Sequence, residues 1–192
     1  MPTDMLEEWL AAEAAQRVLY DNGAGPGVAR PDQVAPLHGL AAMRAMMSGE
    51  LPHPPIAKTL DFMLIEANHG HAVFQGTPGV AHYNPLGSVH GGWYATLLDS
   101  ALGCCVHTAL PAGKAYTTLE LKLNLIRALT TQVPRVRAEG RVIHVSGQTA
   151  TAEARLVGPD GKLYAHGSTT CLVFDYRPPP GQSSAALPQS RP

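Results

Sequence analysis

The sequence predicts an α+β fold in which one curved antiparallel sheet wraps a single long central helix, with a helical extension at the N-terminal side. Three observations carry this. Residues Trp93 to Leu110 form an apolar helical run whose one strong charge is Asp99, and a helix with no polar face must be covered on most sides. Short strand-like segments precede this run and longer alternating ones follow it, which leaves few packings other than a sheet curled round the helix. Small residues at Ala95, Ala101 and Gly103 permit close approach by a sheet or by a second helix.

The elements follow in order. Met5 to Tyr20 has helical spacing, with Leu6, Leu10 and Val18 apolar and Asp4 placed to cap the start. Asn22-Gly23-Ala24-Gly25-Pro26-Gly27 stops it. A second run, Leu37 to Met47, ends at Ser48-Gly49, and Pro52-His53-Pro54-Pro55 blocks its continuation. Residues 1–55 are thus read as a helical arm, with Met43, Met46 and Met47 as its packing face or the lid of an apolar pocket.

Strands are expected at Phe62 to Glu66 and His71 to Gly76, around a turn at Asn68-His69-Gly70. After the long helix and Pro111-Ala112-Gly113, the chain alternates, with Leu119, Leu121, Leu123 and Leu125 on one face and Thr118, Glu120, Lys122 and Asn124 on the other. Further strands are predicted at Arg135 to Val145, Thr149 to Val157 and Leu163 to Asp175. Residues 56–176 make up the main domain, and the Pro-, Ser- and Gln-rich residues 177–192 are read as a flexible tail.

Composition bounds the function. With 192 residues, 45% hydrophobic and 15% charged, the chain can bury a substantial core. A formal net charge of −1 and the absence of a long basic run argue against nucleic acid as a partner. No apolar stretch has the roughly 18 uninterrupted residues that span a bilayer, so no membrane partner is expected. The acidic N-terminus, with Asp4, Glu7, Glu8 and Glu13, is unlike a secretory signal. The three cysteines, Cys104, Cys105 and Cys171, show no paired spacing and read as buried structural thiols. A cytoplasmic setting fits these features.

The chemistry concentrates where Asn84-Pro85-Leu86-Gly87-Ser88-Val89-His90-Gly91-Gly92 runs into the helix. A glycine pair opening a helix leaves backbone N–H groups at its positive end, where a carbonyl oxygen gaining negative charge can be held. That points to acyl transfer. Asp99, a carboxylate on an apolar helix, must be paired, hydrogen-bonded or poised to take a proton. His90 and Asp99 are nine positions apart, roughly 13 Å along one helix axis. One small reacting group cannot touch both, so joint action requires two antiparallel copies of the helix across a two-fold axis.

Asn84-x-x-Gly87-x-x-His90-Gly91-Gly92, with Asp99 nine positions after the histidine, resembles the PaaI-type branch of the hotdog-fold acyl-CoA thioesterases. The likeness runs from about Ile56 to Phe174 and includes the Thr117-Thr118-Leu119-Glu120-Leu121 strand. It implies a hotdog homodimer, usually paired again into a homotetramer, that hydrolyses a fatty- or aryl-acyl-CoA. The implied roles are Gly91 N–H and Asn84 on the thioester oxygen, His90 shaping the site, Asp99 as base or nucleophile from the opposite subunit, and Thr118 near the attacking water.

Gly92, Arg127 and Arg137 are the candidates for substrate contact, Arg135 and Arg141 belong to the same basic cluster, and a solvated strand face is the alternative for these arginines. No metal or cofactor is called for. Plainer roles stay open for His90, which can cap the helix, and for Asn84, which can form a turn. Two other functions share the pocket: a hotdog dehydratase or hydratase, which needs a His base partnered with a carboxylic acid, and a non-catalytic acyl-CoA binding module.

Overall fold

In the computed structural model, which describes residues 2–176, the chain forms five α-helices and six strands among the described residues. Helices α1 (Pro2–Asn22), α2 (Pro31–Val34), α3 (Gly39–Met47) and α4 (Pro55–Thr59) precede β1 (Phe62–Asn68) and β2 (His71–Gly76). The long helix α5 (Gly91–Thr108) is followed by β3 (Lys114–Leu125), β4 (Val136–Val145), β5 (Thr149–Val157) and β6 (Leu163–Asp175). The tail, 177–192, lies outside the described residues.

The strands form one antiparallel sheet in the order β1-β2-β4-β5-β6-β3. The first hairpin and the last strands therefore join through β2 and β4, and all six strands contact α5. This is the hotdog fold. Leu97, Leu98, Ala101, Leu102 and Val106 of α5 are fully buried against the sheet, as expected for a helix apolar all round. The small residues matter at one crossing in particular: a Cβ on Gly140 of β4 would sit 2.3 Å from the Ala101 carbonyl oxygen, so the strand reaches the helix backbone only with glycine there.

Two short helices, α2 and α4, are additions to the sequence reading, and each begins with a proline at its first turn. Pro55 ends the preceding segment but also opens α4, because its fixed φ suits the first helical position and the missing N–H is an orphan there anyway. The arm differs from expectation in its packing face as well. Helix α1 buries Trp9, Glu13, Gln16 and Tyr20 and leaves Leu10 and Val18 exposed.

The cause of that reversal is the surface α1 meets, the outer face of the sheet, which is polar. Gln75 of β2, only 2% exposed, donates to the Trp9 carbonyl at 3.1 Å and to Glu13 at 2.8 Å. Arg135 forms a bidentate pair with Glu13, and the Arg137 guanidinium lies 4.5 Å from the Trp9 ring centre. Burial pushes the Glu13 carboxyl upward, but the hydrogen bonds from Arg135, Gln75 and Arg17 hold it below the usual carboxylate range.

Strand β3 also departs from simple alternation. Its pairing with β6 shifts register between Thr118 and Glu120, and Leu119, expected on the buried face, is 62% exposed. A bulge inserts one residue and reverses the parity of the side chains beyond it. Tyr116 and Thr118 before the bulge thus share the helix-facing side with Leu121 and Leu123 after it. The expectation that Thr118 lies opposite these leucines is corrected by that one extra residue.

Candidate active site

The loop into α5 is built by its own side chains. Asn84 accepts through Oδ1 from the N–H groups of Leu86 and Ser88 at 2.9 and 3.3 Å and donates through Nδ2 to the Ser88 hydroxyl at 3.2 Å. Gly87 closes this turn in the left-handed region, at φ +81, where a side chain is strained. The loop is tied down by Val89 N–H to the Leu129 carbonyl at 2.9 Å and His90 N–H to the His82 carbonyl at 2.8 Å.

At the helix start the two glycines separate in role. His90 caps α5: its Nδ1 accepts from Gly92 N–H at 2.9 Å. The Gly92 donor is therefore occupied, whereas Gly91 N–H has no acceptor among the described residues. An orphan N–H at the positive end of an 18-residue helix is suited to receive an anionic oxygen. Leu125 stands beside it, since a Cβ on Gly91 would lie 2.9 Å from that side chain. Exposed Arg127 follows at the end of the same segment, its carbonyl bound by the Tyr94 hydroxyl at 2.9 Å.

Asp99 lies on the half-buried side of α5, where Thr118 Oγ1 donates to its Oδ1 at 3.1 Å. The structure thus brings Asp99 together with Thr118 and not with His90. The His90–Asp99 partnership that a hydratase reading calls for is not made within the described residues: His90 Nδ1 is bound to Gly92 N–H and Asp99 to Thr118. Arg137 is likewise apart from Asp99: it sits on the outer face of the sheet, donating to Gln75 at 2.9 Å, its guanidinium engaged under α1.

Asp99 and Thr118 open onto a cavity of about 210 Å³, in which Asp99 is the one carboxylate among the described residues. Sequence reasoning missed several of its walls. Cys104 and Tyr116 line it beyond Asp99, and burial pushes the Cys104 thiol up to about 12 and the Tyr116 hydroxyl well above its usual range. Both are protonated at neutral pH, which leaves Cys104 without the thiolate a nucleophile requires. The helical spacing of Ser100 and Cys104, four positions apart, is the signal that could have paired those two on the flank of α5 next to Asp99.

Trp93 and Tyr94, the two large aromatics just after the glycine pair, do not line this cavity. The Trp93 indole donates to the Leu60 carbonyl at 2.9 Å, and the Tyr94 hydroxyl accepts from Leu129 N–H at 2.6 Å; both side chains are at most 3% exposed. Met43 and Met46 of the arm line it instead.

A family model for the thioesterase superfamily matches residues 86–165, from the loop before α5 into β6. That segment places the helix start, α5 and most of the sheet in the thioesterase superfamily pattern. Solved structures agree. A conserved protein from Pseudomonas aeruginosa is 25% identical, with a TM-score of 0.60 over 64% of this chain and 95% of that one. A phenylacetic acid degradation-related protein from Ralstonia eutropha is 27% identical, with a TM-score of 0.62 over 67% of this chain and 97% of the other. A variant of the phenylacetic acid degradation protein PaaI from Thermus thermophilus is 28% identical, with a TM-score of 0.55 over 62% and 97%.

A search of curated proteins by sequence found no match. The fold is that of the hotdog thioesterases, PaaI proteins among them, and the superfamily match supports a thioester hydrolase. Among the described residues, no helix is long and apolar enough to cross a membrane.

Proposed function

We propose that this thioesterase is an acyl-CoA thioesterase, acting at least as a homodimer, in which Asp99 of one subunit and the partner subunit's Gly91 N–H act on one thioester carbonyl. The observation that carries this reading is the placement of the two groups on α5. Gly91 keeps a free donor at the helix start, and Asp99, held by Thr118, faces an apolar cavity. Eight residues separate them, roughly 12 Å of helix. A carbonyl oxygen and the water attacking its carbon are far closer than that, so the two groups meet at one substrate only across a two-fold axis.

In this mechanism Asp99 takes a proton from water as the water oxygen attacks the thioester carbon. The charge that develops on the carbonyl oxygen is held by the partner subunit's Gly91 N–H, with Asn84 shaping the loop beside it. Collapse of the tetrahedral intermediate breaks the carbon–sulfur bond and expels the CoA thiolate, a good leaving group because a thiol's pKa is about 8.5. The proton held by Asp99 passes to the thiolate or to solvent. Attack by the Asp99 carboxylate itself, through an anhydride then opened by water, uses the same groups.

Arg127, exposed beside the helix start, is the cation placed to meet CoA phosphates. The experiment is a steady-state screen of the purified protein against short, medium, long and aryl acyl-CoAs, following free thiol. Saturable thiol release from at least one class is expected, and no release from any class would sink the proposal.

A further inference from the structure

We propose that Met43 and Met46 of α3 form the far wall of the acyl-binding cavity and set the longest acyl group accepted, at about eight carbons. This rests on the acyl-CoA reading above and adds the part of the chain that measures the acyl group. Asp99 and Thr118 stand at one part of the cavity, and Cys104, five residues further along α5, lines it with Tyr116. Five residues are about 7.5 Å of helix, so the cavity extends from the reacting centre toward the C-terminal half of α5. There α3 is docked on it.

That docking is tight. Gly39 N–H donates to the Leu110 carbonyl at 3.0 Å, and a Cβ on Gly39 would lie 1.7 Å from the His107 carbonyl oxygen. On its other side α3 is held by α1, through Gln16 donating to the Met47 carbonyl at 2.6 Å. Met43, 3% exposed, and Met46 are thus carried on a helix fixed at both flanks. Tyr20 and His53, stacked at 4.3 Å, line both this cavity and a more polar one of about 280 Å³ beside it.

The volume sets the limit. An apolar cavity of about 150 Å³ holds the six carbons of benzene, so the 210 Å³ here accommodates about eight at the same occupancy. An acyl group longer than this meets the methionines. The thioesterase-superfamily match begins at residue 86, far downstream of α3, so the wall comes from outside the matched segment.

The test compares kcat/KM for straight-chain acyl-CoAs from four to sixteen carbons, by free-thiol detection, in the native enzyme and two variants. The native enzyme should fall off steeply beyond about eight carbons. Met46→Ala, which removes three heavy atoms, should raise the dodecanoyl-to-octanoyl ratio about tenfold or more, and Met46→Trp should lower the octanoyl-to-butanoyl ratio by a similar factor. Because Met46 is only partly buried, both variants should fold, which thermal melting checks.

A repeat of the series by binding to the Asp99→Asn protein should show the same ratio shift in affinity. Unshifted ratios in both folded variants, or native cleavage of hexadecanoyl-CoA as fast as octanoyl-CoA, would overturn the wall assignment while leaving the thioesterase reading intact. Absence of thiol release from every acyl-CoA would instead overturn the acyl-CoA reading, and the binding series would then decide the wall separately.

Discussion

Thr118 Oγ1 donates a 3.1 Å hydrogen bond to Asp99 Oδ1, and the register shift beside Leu119 is what turns Thr118 toward the helix. Without the bulge, Thr118 would share a face with Leu119's outward neighbours and could not share one with Leu121 and Leu123. The hydrogen bond fixes one carboxylate oxygen and leaves the other for water. On the proposed mechanism Asp99→Asn keeps the shape and removes the base, so turnover should drop about a hundredfold or more while substrate binding changes little.

Thr118→Val should lower kcat about tenfold, the worth of one hydrogen bond to a charged group, with KM nearly constant. Thr118→Ser, which restores the hydroxyl, should recover most of it. Rate and binding collapsing together in Asp99→Asn would make Asp99 a structural carboxylate.

Gly91 invites a test that removes one donor and little else. Gly91 occupies the first position of α5, where proline is well tolerated, and His90 before it has φ −64 and ψ 138, the extended conformation a pre-proline residue needs. The new ring would meet the movable end of Leu125. Gly91→Pro should therefore fold, retain its helix content by circular dichroism, and lose about 10² to 10³ in kcat.

Mixed with Asp99→Asn under conditions of subunit exchange, it should regain about a quarter of native activity, because half the dimers are then mixed and each holds one intact site. Demonstrated heterodimers with no recovery would place both groups of a site in one chain.

Much of this architecture is legible in the sequence for a simple reason: α5 has no polar face, and β5 and β6 alternate cleanly, so burial alone dictates their form. The bulge at Leu119 is hidden because Leu119, Leu121, Leu123 and Leu125 read as one unbroken period-two run. Helix α1 misled in the opposite sense. Its inward residues Glu13 and Gln16 are polar because Glu13 answers Gln75 and Arg135 on the outer face of the sheet and Gln16 donates to the Met47 carbonyl of α3, and a one-dimensional pattern cannot show partners so far along the chain.

Of the candidate site, the helix start and Asp99 could be read from residue types and spacing. Cys104 and Tyr116 could not be placed together, because their meeting depends on how the β3 edge curls back over α5.

Stability should depend on pH through His107. Burial holds its imidazole below the usual histidine range, so as pH falls the unfolded chain takes up this proton first, near pH 6.5, and folding must exclude it. Its contribution is present above about pH 6.5 and declines as the pH drops toward the lower folded value. His53 is shifted in the same direction, again chiefly by burial. The melting temperature should fall between pH 7.5 and 5, a range in which Glu13, held below the usual carboxylate range, stays ionised. His107→Gln should flatten part of that slope, and an unchanged slope would remove His107 from the account.

The seat of the arm is most directly tested at Gly39. Its Cα hydrogen faces the His107 carbonyl so closely that a methyl group there would lie 1.7 Å from the oxygen, and the obstacle is backbone, which cannot rotate away as a side chain can. Gly39→Ala must therefore lift α3 from the end of α5, lengthening the Gly39 N–H to Leu110 bond of 3.0 Å. Overpacking of this kind costs about 1 to 3 kcal/mol, so the melting temperature should drop by several degrees with the sheet intact.

The loss should be local as well as global. Hydrogen exchange should quicken in α3 and at the Gly23–Gly27 segment that follows α1, while Ala101 and Leu102 in the middle of α5 stay protected. Uniform acceleration across α5 and the sheet would mean that the arm and the hotdog shell unfold as one unit, and unchanged exchange in α3 would mean that Gly39 is not what seats it.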